Sequence, residues 1–277
     1  MRTKFPLRFL QYFVLCIGLL LIFIPLAIVL INAFKTNLEI ADNYFSWPNP
    51  FHMENLAELL HRGELWHSML NSVVIAVVFL AVSTFTLPLT AYGVSRTMAT
   101  SRYFRLLYYF LIFGLFVPFQ AKMIPLMIIT SKLGMMNVAG IIVLYISGST
   151  CEGVFLCSGY LQSIPTDLEE AAYIDGAGFF RTYWRVIFPL MKPILMTVAI
   201  QNALWVWNDF QLPLLVLNKS SSYWTLILYI YNFKAAYFLD YGMIFASFLI
   251  SMLPIMVLYA FMQKHIIGGL TSGAVKG

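Results

Sequence analysis

The chain has 277 residues, of which 61% are hydrophobic and only 10% charged, with a formal net charge of +5. Soluble domains sit nearer half apolar and a quarter charged, so this composition excludes an ordinary soluble fold and describes an all-α, polytopic membrane protein. The 17 Lys and Arg are scattered with no run of four and gather at the ends of apolar segments, a placement that orients a membrane protein and excludes a nucleic-acid-binding face.

Taken in chain order, the apolar runs predict six spans, at about residues 12–33, 70–92, 104–121, 138–160, 186–206 and 241–262. The first follows a basic start and resembles a signal peptide. Its apolar part is too long for a cleaved segment and no small-x-small site follows, so it is expected to remain as an uncleaved span. Residues 34–69 form an external segment in which Trp47, Pro48 and Pro50 suit an interfacial turn before a short helix. Residues 209–240 contain "YWTLILYIYNF", too short to span and expected to be an interfacial or packed external helix. Cys16, Cys151 and Cys157 lie in apolar stretches without metal-ligand spacing, and His52, His61, His67 and His265 are scattered, so no metal is expected.

Positive charge sets the topology. Arg2, Lys4, Arg8, Arg96, Arg102, Arg105, Arg181, Arg185, Lys192, Lys264 and Lys276 fall on one side of the six spans. Lys35, Arg62, Lys122, Lys132, Lys219 and Lys234 fall on the other, which puts both termini in the cytoplasm.

One cytoplasmic stretch is unlike the rest. "IPTDLEEAAYIDGAGFFRTYWRVIFPLMKP", residues 164–193, places acids and bases between two apolar runs. Thr166 and Glu169 fit a capping box, and Asp167, Glu169 and Glu170 complement the positive end of a helix dipole. Gly176 and Gly178 can take positive φ and end that helix. A second helix over Phe179–Phe188 would carry Phe180, Tyr183, Trp184 and Ile187 on one face, with Arg181 and Arg185 off it. Ala171 and Ala172 are small enough for another surface to approach the backbone. The pattern describes a helix–turn–helix wedge; an amphipathic connector lying at the headgroups would share it.

Glu170-Ala171-Ala172, three residues, Gly176, nine residues and then Val186-Ile187-Phe188-Pro189 resembles the EAA loop of ABC importer permeases. Val186 and Phe188 replace the Ile and Leu of that pattern, apolar for apolar. "VPFQAKMIPL", "VWNDFQLPLLVL" and "GGLTSGAVKG" extend the resemblance over essentially the whole chain, to the MalG-type permeases of bacterial carbohydrate importers. The resemblance implies a type I (MetI-like) importer core over residues 70–262, preceded by residues 1–69 and followed by a cytoplasmic tail at 263–277. It implies a multi-pass protein of the cytoplasmic membrane. Its partners would be a homologous second permease, two copies of a cytoplasmic ATPase that carries the ATP and Mg, and an extracytoplasmic sugar-binding protein. Glu170, Ala171, Ala172, Asp175, Gly176, Ala177, Arg181 and Pro189 would form the ATPase-coupling wedge. Thr271, Ser272, Gly273 and Lys276 would approach the ATPase.

No G-x-x-x-x-G-K-[ST] occurs, so the chain is not expected to be an enzyme or to bind a cofactor of its own. An ion-coupled secondary transporter is the competing class, and it needs ionisable groups in the membrane. Glu152 in the fourth span supplies one; bonding to nearby Ser, Thr or Tyr within the helix would also account for it. An ABC permease for a non-sugar solute stays open, whereas a lone channel or scaffold would leave the wedge unexplained. Aromatic faces and polar groups that suit a saccharide occur at Gln120, Glu152, Asn202, Trp205, Asn208 and Asp209, with Trp207 beside them. Trp205 and Trp207 would equally suit the interfacial aromatic belt.

Overall fold

The computed structural model describes residues 5–236 and 240–274; side-chain surroundings are described for 9–232, 240–257, 259 and 260. Every regular element among them is helical. In chain order these are α1 (Phe5–Asn32), α2 (Asn37–Asp42), α3 (Glu54–His61), α4 (Gly63–Thr97), α5 (Arg102–Leu115), α6 (Phe119–Lys132), α7 (Val138–Leu161), α8 (Asp167–Ile174) and α9 (Phe179–Thr182). A π-helical turn (Tyr183–Ile187) follows, then α10 (Phe188–Leu190), α11 (Lys192–Asn208), α12 (Gln211–Val216), α13 (Leu226–Ala236) and α14 (Tyr241–Ala274).

Among the described residues three helices are long and apolar enough to cross a membrane: Phe9–Asn32 within α1, α4 and α7. The count rises to five if each of two bent pairs is one span, and the described apolar part of α14 runs Tyr241–Val257. The bent pairs correct two expectations. The run predicted as a single span at 104–121 is broken between α5 and α6 by 106°. Pro118 has no N–H to continue the ladder, and its ring disfavours helical geometry at Val117. Each arm has 14 residues, about 21 Å, short of a 30 Å hydrocarbon core. The span predicted at 186–206 likewise starts only at Lys192, and the Phe179–Leu190 run meets α11 at 75°.

The chain forms two compact units, residues 1–67 with 229–254 and residues 68–228 with 255–277. In the first, Thr36 and Glu39 close a capping box at the start of α2: the Glu39 N–H donates to Thr36 Oγ1, and the Thr36 N–H donates to Glu39 Oε2 at 2.8 Å. The Thr36 N–H and the Thr36 hydroxyl, which also donates to Glu39 Oε2 at 2.9 Å, hold the Glu39 carboxyl below its ordinary value. Lys35 is fully buried and donates to Asn43 O (2.9 Å) and Ser46 Oγ (3.0 Å), which compensates its burial; desolvation lowers its pKa, opposed by Glu39. The expected short helix after Trp47 is α3, and the expected external helix is α13, with Leu226, Leu228, Tyr229 and Ile230 buried.

Two cores are described in the second unit. One gathers Leu87, Ala91 and Tyr92 of α4, Val154, Cys157 and Leu161 of α7, Tyr183 and Ile187 of the π turn, and Leu195 and Val198 of α11. The other joins Ile75 and Phe79 of α4, Ile141 and Tyr145 of α7, and Val206, Leu212 and Val216. Gly153 lets α4 and α7 meet closely, since a Cβ there would lie 2.6 Å from Leu87 Cδ1. A Schellman turn closes α6: Gly134 takes φ +67, and the Met135 N–H donates to Thr130 O. Asn137 then caps α7 by accepting from the Gly140 N–H at 2.9 Å.

Candidate functional site

The charged stretch folds into a hook built from α8, a turn, α9 and the π turn. At its root lies Glu169, buried on the underside of α8. Its Oε1 accepts from Arg96 Nε at 2.8 Å and its Oε2 accepts from the Tyr92 hydroxyl at 2.9 Å, both on α4. Arg96 also donates to the Ile164 carbonyl at 3.1 Å, fastening the segment that enters the hook. Tyr92 is sandwiched by rings, with Phe179 at 5.0 Å and Tyr183 at 5.3 Å. The two arms of the hook are thus clamped to one end of one long helix.

This clamp overturns the capping box expected at Thr166. Thr166 has helical backbone angles and its side chain makes no cap hydrogen bond, because Glu169 is held instead by Arg96 and Tyr92. The turn was legible but simpler than expected. Gly176 takes φ +80 while Gly178 stays at φ −80, and the Ala177 N–H donates to Ala172 O with the Gly176 N–H donating to Tyr173 O. That is a Schellman closure using one glycine. The expected aromatic face is also revised. Tyr183 and Ile187 are fully buried, but Phe180 is 65% exposed and Trp184 42% exposed. The π turn winds looser than 3.6 residues per turn, so the i, i+3, i+4, i+7 set does not share a face. Thr182 and Tyr183 keep buried hydroxyls that find no hydrogen-bond partner among the described residues.

The outward side of the hook carries the expected coupling residues. Glu170, Ala171, Asp175, Gly176, Arg181 and Pro189 are exposed, and Ala172 and Ala177 are half-buried. Ile174 at the tip is 87% exposed, an apolar residue unaccounted for by this chain's own core. Of the tail residues, Thr271, Ser272 and Gly273 continue the α14 backbone with side chains outside those described, and Lys276 lies outside the described residues.

The second feature is a cavity of about 600 Å³ between the α5–α6 knee, α7 and the far end of α11. It brings together two of the sequence-predicted pathway residues, Glu152 and Trp205, and adds Lys122 and Ser147. Gln201 donates from Nε2 to Glu152 Oε1, so the acid's partner comes from α11 and not from the Ser, Thr or Tyr neighbours that were weighed for it. Trp205 packs edge-on against Tyr145 (5.3 Å) and Phe79 (6.2 Å). The other predicted pathway residues do not line the cavity. Gln120 is exposed on α6, Asn202 is buried in α11, and Asn208 donates to Leu204 O of its own helix. Asp209 accepts from the Tyr145 hydroxyl at 2.9 Å and from the Gln211 N–H at 3.0 Å, bracing the start of α12. Burial pushes its carboxyl upward, opposed by those bonds. Among the described residues no His, Cys, Asp and Glu cluster could hold a metal.

Residues 89–271, which include hook and cavity alike, match the family described as binding-protein-dependent transport system inner membrane component. The chain belongs to this family. It is therefore a multi-pass membrane component of an ABC transport system and not an enzyme. Among curated relatives it is 44% identical, over 97% of both chains, to the multiple sugar-binding transport system permease protein MsmG of Streptococcus mutans. It is 34% identical, over 91% of both, to the probable starch degradation products transport system permease protein AmyC of Thermoanaerobacterium thermosulfurigenes. Among solved structures it resembles a chain of a bacterial ABC transporter involved in import of the acidic polysaccharide alginate. That match has a TM-score of 0.82 and 22% identity, and covers 95% of this chain and 98% of that one. At that identity the likeness concerns the permease fold.

Proposed function

We propose that the chain is one permease subunit of an ATP-driven importer of mono- or oligosaccharides. The observation that carries this reading is end-to-end similarity to a sugar-transport permease at 44% identity. The chain crosses the membrane six times, with each bent pair counted as one crossing and α14 as the last, and both termini face the cytoplasm. It pairs with a homologous permease, two ATPase subunits holding ATP and Mg, and an extracytoplasmic sugar-binding protein. The importer core spans residues 70–262, with residues 1–69 before it and the tail at 263–277 after it.

Residues 164–193 are the mechanical link. The exposed side of α8, with Glu170, Ala171 and Ala172, seats in a groove of the ATPase, and the apolar tip at Ile174 is covered there. Closure of the ATPase dimer displaces the hook. Because Glu169 is clamped to Arg96 and Tyr92, that displacement reaches α4 as a rigid-body movement and does not dissipate in the loop. Charge on the outside of α8 and a buried ion pair on its inside suit those two tasks, gripping a partner and pulling a span.

Copurification from native membranes tests the assembly. Recovery of an ATPase and a second permease with this chain supports the reading, and saccharide uptake by this chain alone in proteoliposomes overturns it.

A further inference from the structure

We propose that this subunit carries its own solute subsite, the cavity beside α7, in which the Glu152–Gln201 pair, Lys122 and Trp205 hold a neutral saccharide unit. The inference rests on the importer reading and adds to it where in this half of the pathway the solute binds and which charge class is admitted.

Size comes first. About 600 Å³ falls inside the range of roughly 300–1,000 Å³ typical of small-molecule sites. Hydration comes next. The cavity is walled by Gly114, Leu115 and Val117, where α5 stops and the chain turns by 106° within a membrane-spanning pair. Backbone that leaves the helix at membrane depth is tolerated only where protein covers it or water reaches it. An open cavity at the break supplies that water, and a polyhydroxylated solute presents the same donors and acceptors.

The polar groups then define the class. Gln201 engages Oε1 of Glu152, both Glu152 and Lys122 line the cavity, and Lys122 makes no ion pair among the described residues. A carboxylate that accepts and an ammonium that donates suit hydroxyl groups, which do both. Their charges oppose one another, so a neutral solute needs no counter-ion. A solute bearing a carboxylate meets Glu152, and one bearing an ammonium meets Lys122. Trp205 supplies an aromatic wall. It is held by Tyr145 and Phe79, and it lies against Gly148, where a Cβ would come within 3.2 Å of the indole. Its orientation is therefore fixed before a solute arrives.

The test is equilibrium binding of labelled saccharides to the complete permease–ATPase complex in nanodiscs, without the binding protein, so that only membrane-embedded selectivity is read. Three oligosaccharides of equal length serve as probes: a neutral one, one bearing a uronate and one bearing an amino sugar. Glu152→Gln is expected to raise the Kd for the neutral probe about tenfold, the loss of a hydrogen bond to a charged group, and to raise the uronate-to-neutral affinity ratio. Lys122→Gln is expected to raise the amino-to-neutral ratio instead. These ratios do not depend on the fraction of folded protein, so a partly unfolded variant does not mimic them. Unchanged ratios in both variants overturn the subsite. That result leaves the importer reading standing, which fails separately if the unmutated complex shows no ATP-driven saccharide uptake.

Discussion

Glu169 and Glu170 are adjacent in sequence and opposite in circumstance, and substituting each in turn separates the root of the hook from its grip. Glu169→Gln keeps the shape of the side chain but replaces one acceptor oxygen with a donor. Tyr92 and Arg96 both donate to Glu169, so one of them is left facing an NH2 group inside a buried clamp. Leaving a buried donor unsatisfied costs about 1–3 kcal/mol, and Glu169→Ala, which strands the Arg96 charge entirely, costs about 3–5 kcal/mol. Glu169 is 6% exposed, so little solvent is at hand to soften either penalty. Glu170→Gln lies on the exposed side and is expected within about 0.5 kcal/mol of the parent. The assay pairs thermal unfolding of the detergent-solubilised complex with ATP-driven uptake. Glu169→Gln is expected to lower the unfolding midpoint and to let ATP hydrolysis run without proportionate uptake. Glu170→Lys is expected to keep the midpoint and release or uncouple the ATPase. A Glu169→Gln complex with parental midpoint and parental coupling would refute the clamp.

The same clamp predicts that Tyr92→Phe destabilises by about 1 kcal/mol or more, since its hydroxyl donates to Glu169, whereas Tyr183→Phe is neutral or slightly stabilising because that hydroxyl is buried without a partner. Comparison of the two midpoints checks it. Gly176→Val is expected to cost about 1–2 kcal/mol through its φ of +80 alone, as a Cβ there meets nothing within 4 Å; proteolysis at the turn should accelerate. Gly140→Ala is expected to misplace the start of α7, because a Cβ would fall 1.9 Å from the Met135 carbonyl oxygen, and reduced recovery of folded protein reports it. In the external segment, Glu39 has a folded pKa below its ordinary 4.5, so its contribution to stability is full above that value and is lost as pH falls through the lower folded one. Amide exchange over residues 37–42 should quicken in that acid window, and Thr36→Ala, which removes the hydroxyl but keeps the backbone N–H, should weaken the dependence without abolishing it.

Two four-residue stretches show what the sequence could and could not disclose. "TNLE" at Thr36–Glu39 and "TDLE" at Thr166–Glu169 carry the same capping-box signature, yet only the first forms the box. The second Glu is claimed by Arg96, 73 residues earlier, and no local pattern records a partner so distant. For that reason the exposed side of α8 was readable from Glu170 onward while the buried root was not. Long apolar runs placed α7 nearly to the residue and located α1 and α4, which extend up to seven residues beyond the expected ends, because hydrocarbon thickness acts on length and polarity and not on where a helix starts. The knee at Pro118 could have been suspected from the Val-Pro pair within a run of marginal length. The π turn had no comparable signal, and it misled the helical periodicity at Phe180 and Trp184. Glu152 stood out as an acid in a span; Lys122 did not, since it reads equally as an orienting charge at a helix end.

The first helix has a consequence of a different kind. None of its apolar window is buried among the described residues. The 24 residues from Phe9 to Asn32 make a rod of about 36 Å, set in a layer about 30 Å deep. A rod longer than its slab leans or thickens the layer around it, and among the described residues no residue of this apolar window is buried to hold a given slope. Its inclination therefore belongs to whatever adjoins it, so that swapping thin lipids for thick ones, or docking a second subunit alongside, would reset the tilt of this one element.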